Sequence, residues 1–192
     1  MESTTLNLPP RRLSSVDRPA VLRHYRALTL HDRYLRFGGH SVDSFVTSYV
    51  ARIDFSSDAM FGATEDGLSL IGVAHLARCG QHAELGLSVL PSDRNKGIGR
   101  SLLLRGYLHA RNWGAPALFM HCLAANVSVI RLARGLNMEI VAELGDAEAW
   151  LKLPPPDASS VIAAALSGYL SQVDYVQKLH RTAWTLASGH GW

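Results

Sequence analysis

The chain has 192 residues, 47% hydrophobic and 18% charged, with a formal charge of +3. That length fits one domain, or one domain with an appendage, and buries enough apolar surface for a real core. No apolar run approaches the roughly 20 residues that a membrane span needs, and two cysteines, Cys79 and Cys122, do not suggest a disulfide framework. The opening "MESTTLNLPPRR" lacks the charged-then-apolar order of a secretory signal, so a cytoplasmic protein is expected.

The positive charge is concentrated. Arg11, Arg12, Arg18, Arg23, Arg26, Arg33 and Arg36 fall in one stretch whose only acids are Asp17 and Asp32. Such a stretch attracts nucleic acid or acidic substrates, but solvated helix faces look the same, and no nucleic-acid motif accompanies it. Solvated faces are the reading adopted.

From Asp17, "DRPAVLRHYRAL" offers a capping acid, an early proline and apolar Val21, Leu22, Tyr25 and Leu28 at helical spacing. A second helix is expected from about Ser41, with Val42, Phe45, Val46, Tyr49 and Val50 on one stripe. The intervening "HDRYLRFGGH" reads as a loop or short helical turn. Apolar runs around "EDG" (65–67) then predict a hairpin. "HAELGLSVL" follows as a strand, Ala83, Leu85, Leu87 and Val89 alternating with Glu84, Gly86 and Ser88. After it come a helix to about Asn112, a strand at "ALFMHCL", a helix from Asn126 to about Leu136, and strands at "EIVAEL" and "AEAWLKL".

"PPP" at Pro154–Pro156 breaks the chain before a last helix. Its stripe of Ile162, Leu166, Tyr169, Leu170, Val173, Val176 and Leu179 needs a partner surface, with Asp174 and Lys178 as a supporting pair. The helix is expected to pack on its own domain; the other arrangement open to it joins two subunits as a homodimer. Residues 1–153 are therefore taken as the domain and 154–192 as a helical extension.

The loudest signal is "PSDRNKGIGRSLLL", Pro91–Leu104. A strand, a glycine-bearing loop and a helix hold anions well, because the first helical amides are unpaired and the helix dipole favours negative charge. A nucleoside-triphosphate loop needs four residues between its glycines, then Lys and Ser or Thr, and fails here. A dinucleotide fingerprint needs a small residue where Leu102 stands and an acid after the next strand, which closes instead as "HCLA". A tight strand-to-helix turn with no ligand is the remaining plain reading.

Arg94, Asn95, Lys96, Gly97, Ile98 and Gly99, with "LSVLP" before them, "LFMHC" in the next strand and Asn126 opening the next helix, resemble the GNAT superfamily of acyl-CoA N-acyltransferases. Its signature is Arg or Gln, two residues, Gly, one residue, then Gly or Ala. The resemblance runs from about Leu68 to Ile140 and extends to the two preceding helices. It implies a mixed α/β fold, a central mixed sheet flanked by helices, with the carboxy-terminal helix as an addition.

The resemblance also implies acetyl-CoA as cosubstrate and an amine, on a small molecule or a protein side chain, as acceptor, attacked directly in a ternary complex. Backbone amides around Lys96, Gly97, Gly99, Arg100 and Ser101 would hold the pyrophosphate, with charge from Arg94 and Lys96 nearby. Main-chain groups of Leu87 and Val89 would pair with the pantetheine arm as an added strand. The amide of Val89 would meet the thioester oxygen. Asn126 would bond near the same arm, or serve as a plain helix cap.

Glu84 is the first candidate for a base acting through water; otherwise it is a surface residue of its strand. Many relatives carry a tyrosine, the acid that protonates the thiolate, where this chain has Ala133, and the usual "GF" becomes Asn137 and Met138. Ser128, a water or no acid at all would then serve, since a free thiol with a pKa of ~8.5 leaves readily as thiolate. Ala133 equally motivates the alternative of a catalytically weak acyl-CoA sensor. Adjacent strand residues face opposite ways, so His121 and Cys122 form no dyad; Cys122 reads as core and His121 as a minor base candidate. His75, Cys79 and His82 supply too few well-spaced ligands, and no metal is expected. The acceptor side falls to the amino-terminal helices and "HDRYLRFGGH", where Arg33 and Arg36 could meet a carboxylate or phosphate. The "RYLRF" run is similar to one in a bacterial subgroup of the family.

Overall fold

The computed structural model describes residues 9–64 and 68–188. In chain order these form β1 (Arg11–Leu13), α1 (Arg18–Ala27), α2 (Leu30–Arg36), α3 (Asp43–Arg52), β2 (Ala59–Thr64), β3 (Leu70–Cys79) and β4 (His82–Val89). There follow α4 (Ile98–Asn112), β5 (Ala117–Leu123), α5 (Val127–Arg134), β6 (Glu139–Glu143), β7 (Asp146–Lys152) and α6 (Ala158–Ser188). The strands make one sheet in the order β1-β2-β3-β4-β5-β7-β6. Every neighbouring pair is antiparallel except β4 and β5, which are parallel and paired only at Ala83 with Leu118 and Glu84 with Phe119. This is the expected mixed α/β fold.

Strand alternation sorts the core onto the two faces of the sheet. Phe61, Ala74, Leu76, Leu85, Leu87, Leu118 and Met120 pack under Ile98, Leu102 and Leu103 of α4. Glycine lets that helix approach closely: a Cβ on Gly106 would lie 2.8 Å from Leu85, and one on Gly72 2.8 Å from Ile98. The opposite face carries Met60 and Val73 under Val21 and Tyr25 of α1 and Val46 and Val50 of α3. There His24 ties α1 to two strands, its Nδ1–H donating to the Leu70 carbonyl at 2.9 Å and its Nε2 accepting from the Ser88 hydroxyl at 2.8 Å.

Several local expectations are corrected. "HDRYLRF" is mostly the helix α2, because Thr29 caps it: Thr29 Oγ1 accepts from the Asp32 amide at 3.1 Å. Asp17 precedes α1 without capping it, since its carboxylate takes the Ser14 amide at 2.9 Å and the Arg11 guanidinium at 2.6 Å. α3 starts at Asp43, so Val42 is exposed outside the stripe. β1 was not legible in "PPRRL", while the "EDG" turn between β2 and β3 lies outside the described residues.

The arginine-rich stretch largely knits the fold together. Arg18 donates to carbonyls at the end of α3, Val50, Ala51 and Ile53. Arg33 pairs with Asp43 and donates to the Arg26, Leu28 and Ser41 carbonyls. Arg26 donates to Thr47.

α6 packs on α4 and β1, but not through its apolar stripe. The face turned to the domain is small and polar. Ser160 bonds Asn112 at 2.6 Å, the Ala164 carbonyl accepts from Arg105, the ring of Tyr175 lies under Arg11, and Lys178 reaches the Thr64 carbonyl. Ile162, Leu166, Tyr169, Leu170, Val173, Val176 and Leu179 all point to solvent. No helix among the described residues is long and apolar enough to cross a membrane.

Burial lowers the pKa of His24 from 6.5 to about 4. Below pH 6.5 the unfolded chain takes up a proton that the folded site refuses until about 4, so stability is full above 6.5 and falls as pH drops through that window. Loss from this residue should reach about 3 kcal/mol, with His75 and His109, also lowered, adding in the same direction. Urea unfolding at pH 7.5 and 4.5 tests this: His24→Gln should be less stable at pH 7.5 and lose less on acidification.

Candidate functional site

Because β4 and β5 stop pairing after Glu84 and Phe119, the sheet opens into a fork. The Leu90 amide donates to the Ile71 carbonyl at 2.9 Å. By antiparallel alternation, Ser88 and Gly86 then turn their main chain to β3, while Leu87 and Val89 turn theirs into the fork. The Val89 carbonyl accepts from Arg94 Nε at 3.3 Å, on that open side.

A cavity of about 680 Å³ fills the fork, walled by Leu87, Ser88 and Val89 of β4, the glycine loop, the start of α5 and one side of α2. That volume lies within the range typical of small-molecule sites, ~300–1,000 Å³. The loop is shaped by left-handed backbone at Asn95 (φ 62°) and Gly97 (φ 80°), which turns the chain into α4. Ser101 is the first helical donor, its amide bonding the Gly97 carbonyl at 3.0 Å. The amides of Ile98, Gly99 and Arg100 before it are the first-turn groups that a helix leaves for a ligand. The Ser101 amide therefore drops out of the expected anion-binding set.

The charged residues of the loop have partners. Arg94 pairs with Asp32 of α2 at 2.7 Å and Lys96 with Asp93 at 2.7 Å. Hydrogen bonding from Lys96 holds Asp93 below the usual carboxylate range; at Asp32, burial pulls upward but Thr29 and Arg94 outweigh it. Asn126 caps α5, its Oδ1 accepting from the Val129 amide at 3.3 Å, and its Nδ2 donates to the Leu35 carbonyl of α2. It also lines the cavity, so the cap and the ligand-facing reading are compatible.

The three catalytic candidates separate. Ser128 lines the cavity at the first turn of α5. Glu84 sits at the closed end of the fork, opposite Phe119, and is not in the wall. His121 is on the exposed face of β5, 3.7 Å from Asp146, and also lies outside the cavity. Cys122 turns into the core beside it, its thiol pushed up by burial. His75 is engaged by Tyr49 and Asp58, and no group of metal-ligating side chains occurs among the described residues.

Sequence reasoning missed Ser88 with its partner His24, and His31 and Asp32 at the lip. The Thr29-x-x-Asp32 cap was the available signal for α2; nothing local foretold that α2 would lie across the fork. Ala133, in the place of the expected tyrosine, is fully buried in the core, and no tyrosine lines the cavity.

The cavity thus joins a strand fork to a glycine loop at a helix start. The chain belongs to the acetyltransferase (GNAT) family, whose model matches residues 26–138, more than half of its length. Solved structures agree in fold. The GNAT domain of PAT from S. lividans superposes with a TM-score of 0.67 at 20% identity, over 74% of this chain and 89% of that one. yncA from Salmonella typhimurium, solved with its cofactor acetyl-CoA, gives 0.62 at 22% identity, over 79% and 99%. The ribosomal-protein-alanine N-acetyltransferase of Brucella melitensis gives 0.59 at 21%, over 76% and 100%. No curated protein sequence matches significantly.

The left-handed turn is testable by itself. Gly97→Val places a β-branched residue at φ 80° and should cost about 1–3 kcal/mol, read as a lower midpoint in chemical denaturation.

Proposed function

We propose that the chain is an acetyl-CoA-dependent N-acetyltransferase acting on a primary amine of a small molecule or protein side chain, by direct attack in a ternary complex. The observation that carries this reading is the open main-chain edge of Leu87 and Val89, ending at a glycine loop whose first helical residues line the same cavity. Acetyl-CoA supplies the acyl group as a thioester. The amides of Gly97, Gly99 and Arg100, with Lys96, hold the anionic end; Leu87 and Val89 pair with the arm; Asn126 bonds beside it. The Val89 amide donates to the carbonyl oxygen as charge develops there.

The amine lone pair forms the new C–N bond, the C–S bond breaks, and the ammonium proton goes to water held by Glu84. Ser128 at the cavity wall passes a proton to the leaving sulfur. Arg94, paired with Asp32, acts by fixing the loop more than by free charge. Buried Ala133 and a wall without tyrosine favour one alternative, an acyl-CoA sensor with little turnover.

Calorimetry with acetyl-CoA, using ATP and NAD as controls, tests the reading. Selective micromolar binding is expected, and Gly99→Glu, verified as folded, should abolish it. Binding to wild type with no thiol release across an amine panel would favour the sensor, and no binding at all would reject both.

The setting that fits is the cytoplasm of a bacterium. Residues 1–153 act as the domain and 154–192 as the extension, which we propose joins two copies. From Val161 to Val173 no charge interrupts the outward stripe of α6, a length of about 20 Å that two antiparallel helices can share about a two-fold axis. Sedimentation equilibrium should find a dimer, and Leu166→Glu with Leu170→Glu a folded monomer. A wild-type monomer at all concentrations rejects the interface.

A further inference from the structure

We infer that Arg36 anchors the carboxylate of the acceptor, so that the substrate is a short amino-carboxylate; this rests on the acyltransferase reading above. Arg36 ends α2 and lines the cavity, and its guanidinium lies on the strand backbone at Gly86, where a Cβ would come within 2.5 Å of Nη2. Gly86 immediately precedes Leu87, the first residue whose main chain faces the fork. Three aromatic rings enclose the charge, Phe37 at 5.1 Å, Tyr49 at 5.7 Å and Tyr25 at 5.8 Å. Nη2 donates to the Tyr49 hydroxyl at 3.1 Å, while Nε is buried with no hydrogen-bond partner among the described residues.

The contrast with its neighbours is chemical. Arg11 pairs with Asp17, Arg33 with Asp43 and Arg94 with Asp32, whereas no carboxylate among the described residues pairs with Arg36. The next acid is two hydrogen bonds further on: Tyr49 donates to His75 Nδ1 at 2.6 Å, and His75 Nε2 meets Asp58 at 2.9 Å. A guanidinium keeps its charge under all ordinary conditions, and enclosing one without a counter-ion is costly.

The missing partner is an anion of one charge. Burial pushes His24 and His75, the two histidines on which the charge of Arg36 acts, toward the neutral form, so neither adds a second charge beside the guanidinium and one negative charge balances it. A carboxylate also matches the planar fork of donors. The site for the acyl carbon lies beside Leu87 and Val89, one to three residues along the strand from Gly86, or ~3–10 Å. The amine and carboxylate are therefore separated by a few bonds.

The test needs no known acceptor and no coenzyme. Wild-type protein is titrated with the N-acetyl derivatives of the common amino acids and with the matching N-acetyl amino amides, which lack the carboxylate, and affinity is read by calorimetry and thermal shift. At least one acid should bind tenfold or more tightly than its amide, and Arg36→Gln should erase that preference. Arg36→Lys, which keeps the charge but not the fork, should retain only part of it and serves as the readout if the glutamine variant does not fold. Equal binding of acids and amides, binding of neither across the panel, or a preference that survives Arg36→Gln overturns the assignment. Acetyl-CoA titrated separately distinguishes failure of the acyltransferase reading, in which the coenzyme does not bind, from failure of the anchor alone.

Discussion

The parting of β4 from β5 is the constraint on which the rest of the molecule turns. Two parallel strands that separate after two paired positions leave main-chain donors and acceptors without a ladder, and such groups must find water, side chains or a ligand. Every nearby element bears on that opening. α4 starts at its rim through a glycine turn, α5 starts at the other side under the Asn126 cap, and α2 lies across it, held by Asp32 to Arg94 and by the Leu35 carbonyl to Asn126. The sheet is otherwise closely packed on both faces, so the fork is where it can admit a guest.

Polar groups that look like surface chemistry in the primary structure turn out to be internal fasteners. Arg18, Arg26 and Arg33 join helix to helix, and His24 joins a helix to two strands. Pairing of this kind fixes the relative positions of α1, α2 and α3 more sharply than apolar contact alone, since each bond has a direction. The acceptor side of the fork inherits its shape from those contacts.

How much of this was legible follows from the range of the signals. The strand alternation around Leu85 and Leu87, the glycine pair and the Asn126 cap are local patterns, and they located β4, the loop and α5 well. Glu84 and His121 lie outside the cavity wall, which could not be foreseen because residue type and strand membership do not reveal where two strands stop pairing. Arg36 was a candidate for an acceptor anion from its segment alone, but its seat on Gly86 was not legible, nor was Ser88 as a site residue, for a related reason: the partners of Arg36 and Ser88, Gly86 and His24, are 50 and 64 positions away. The stripe of α6 was read correctly as apolar, but its own domain is not what it packs on, since hydropathy says that a face needs shelter without saying what provides it.

The way α6 is fastened has a consequence for how the molecule comes apart. Its inner face offers Ser160, Ala164, Gly168 and Ser171 to the domain, and its ties are hydrogen bonds and the ion pair of Arg111 with Asp157. Peeling such a helix away uncovers little oily surface, so water can replace most of what is lost at that seam. The hydrocarbon interior is sealed by α4 on one face and by α1 and α3 on the other, and α6 is joined to it by a polar seam for which water can compete.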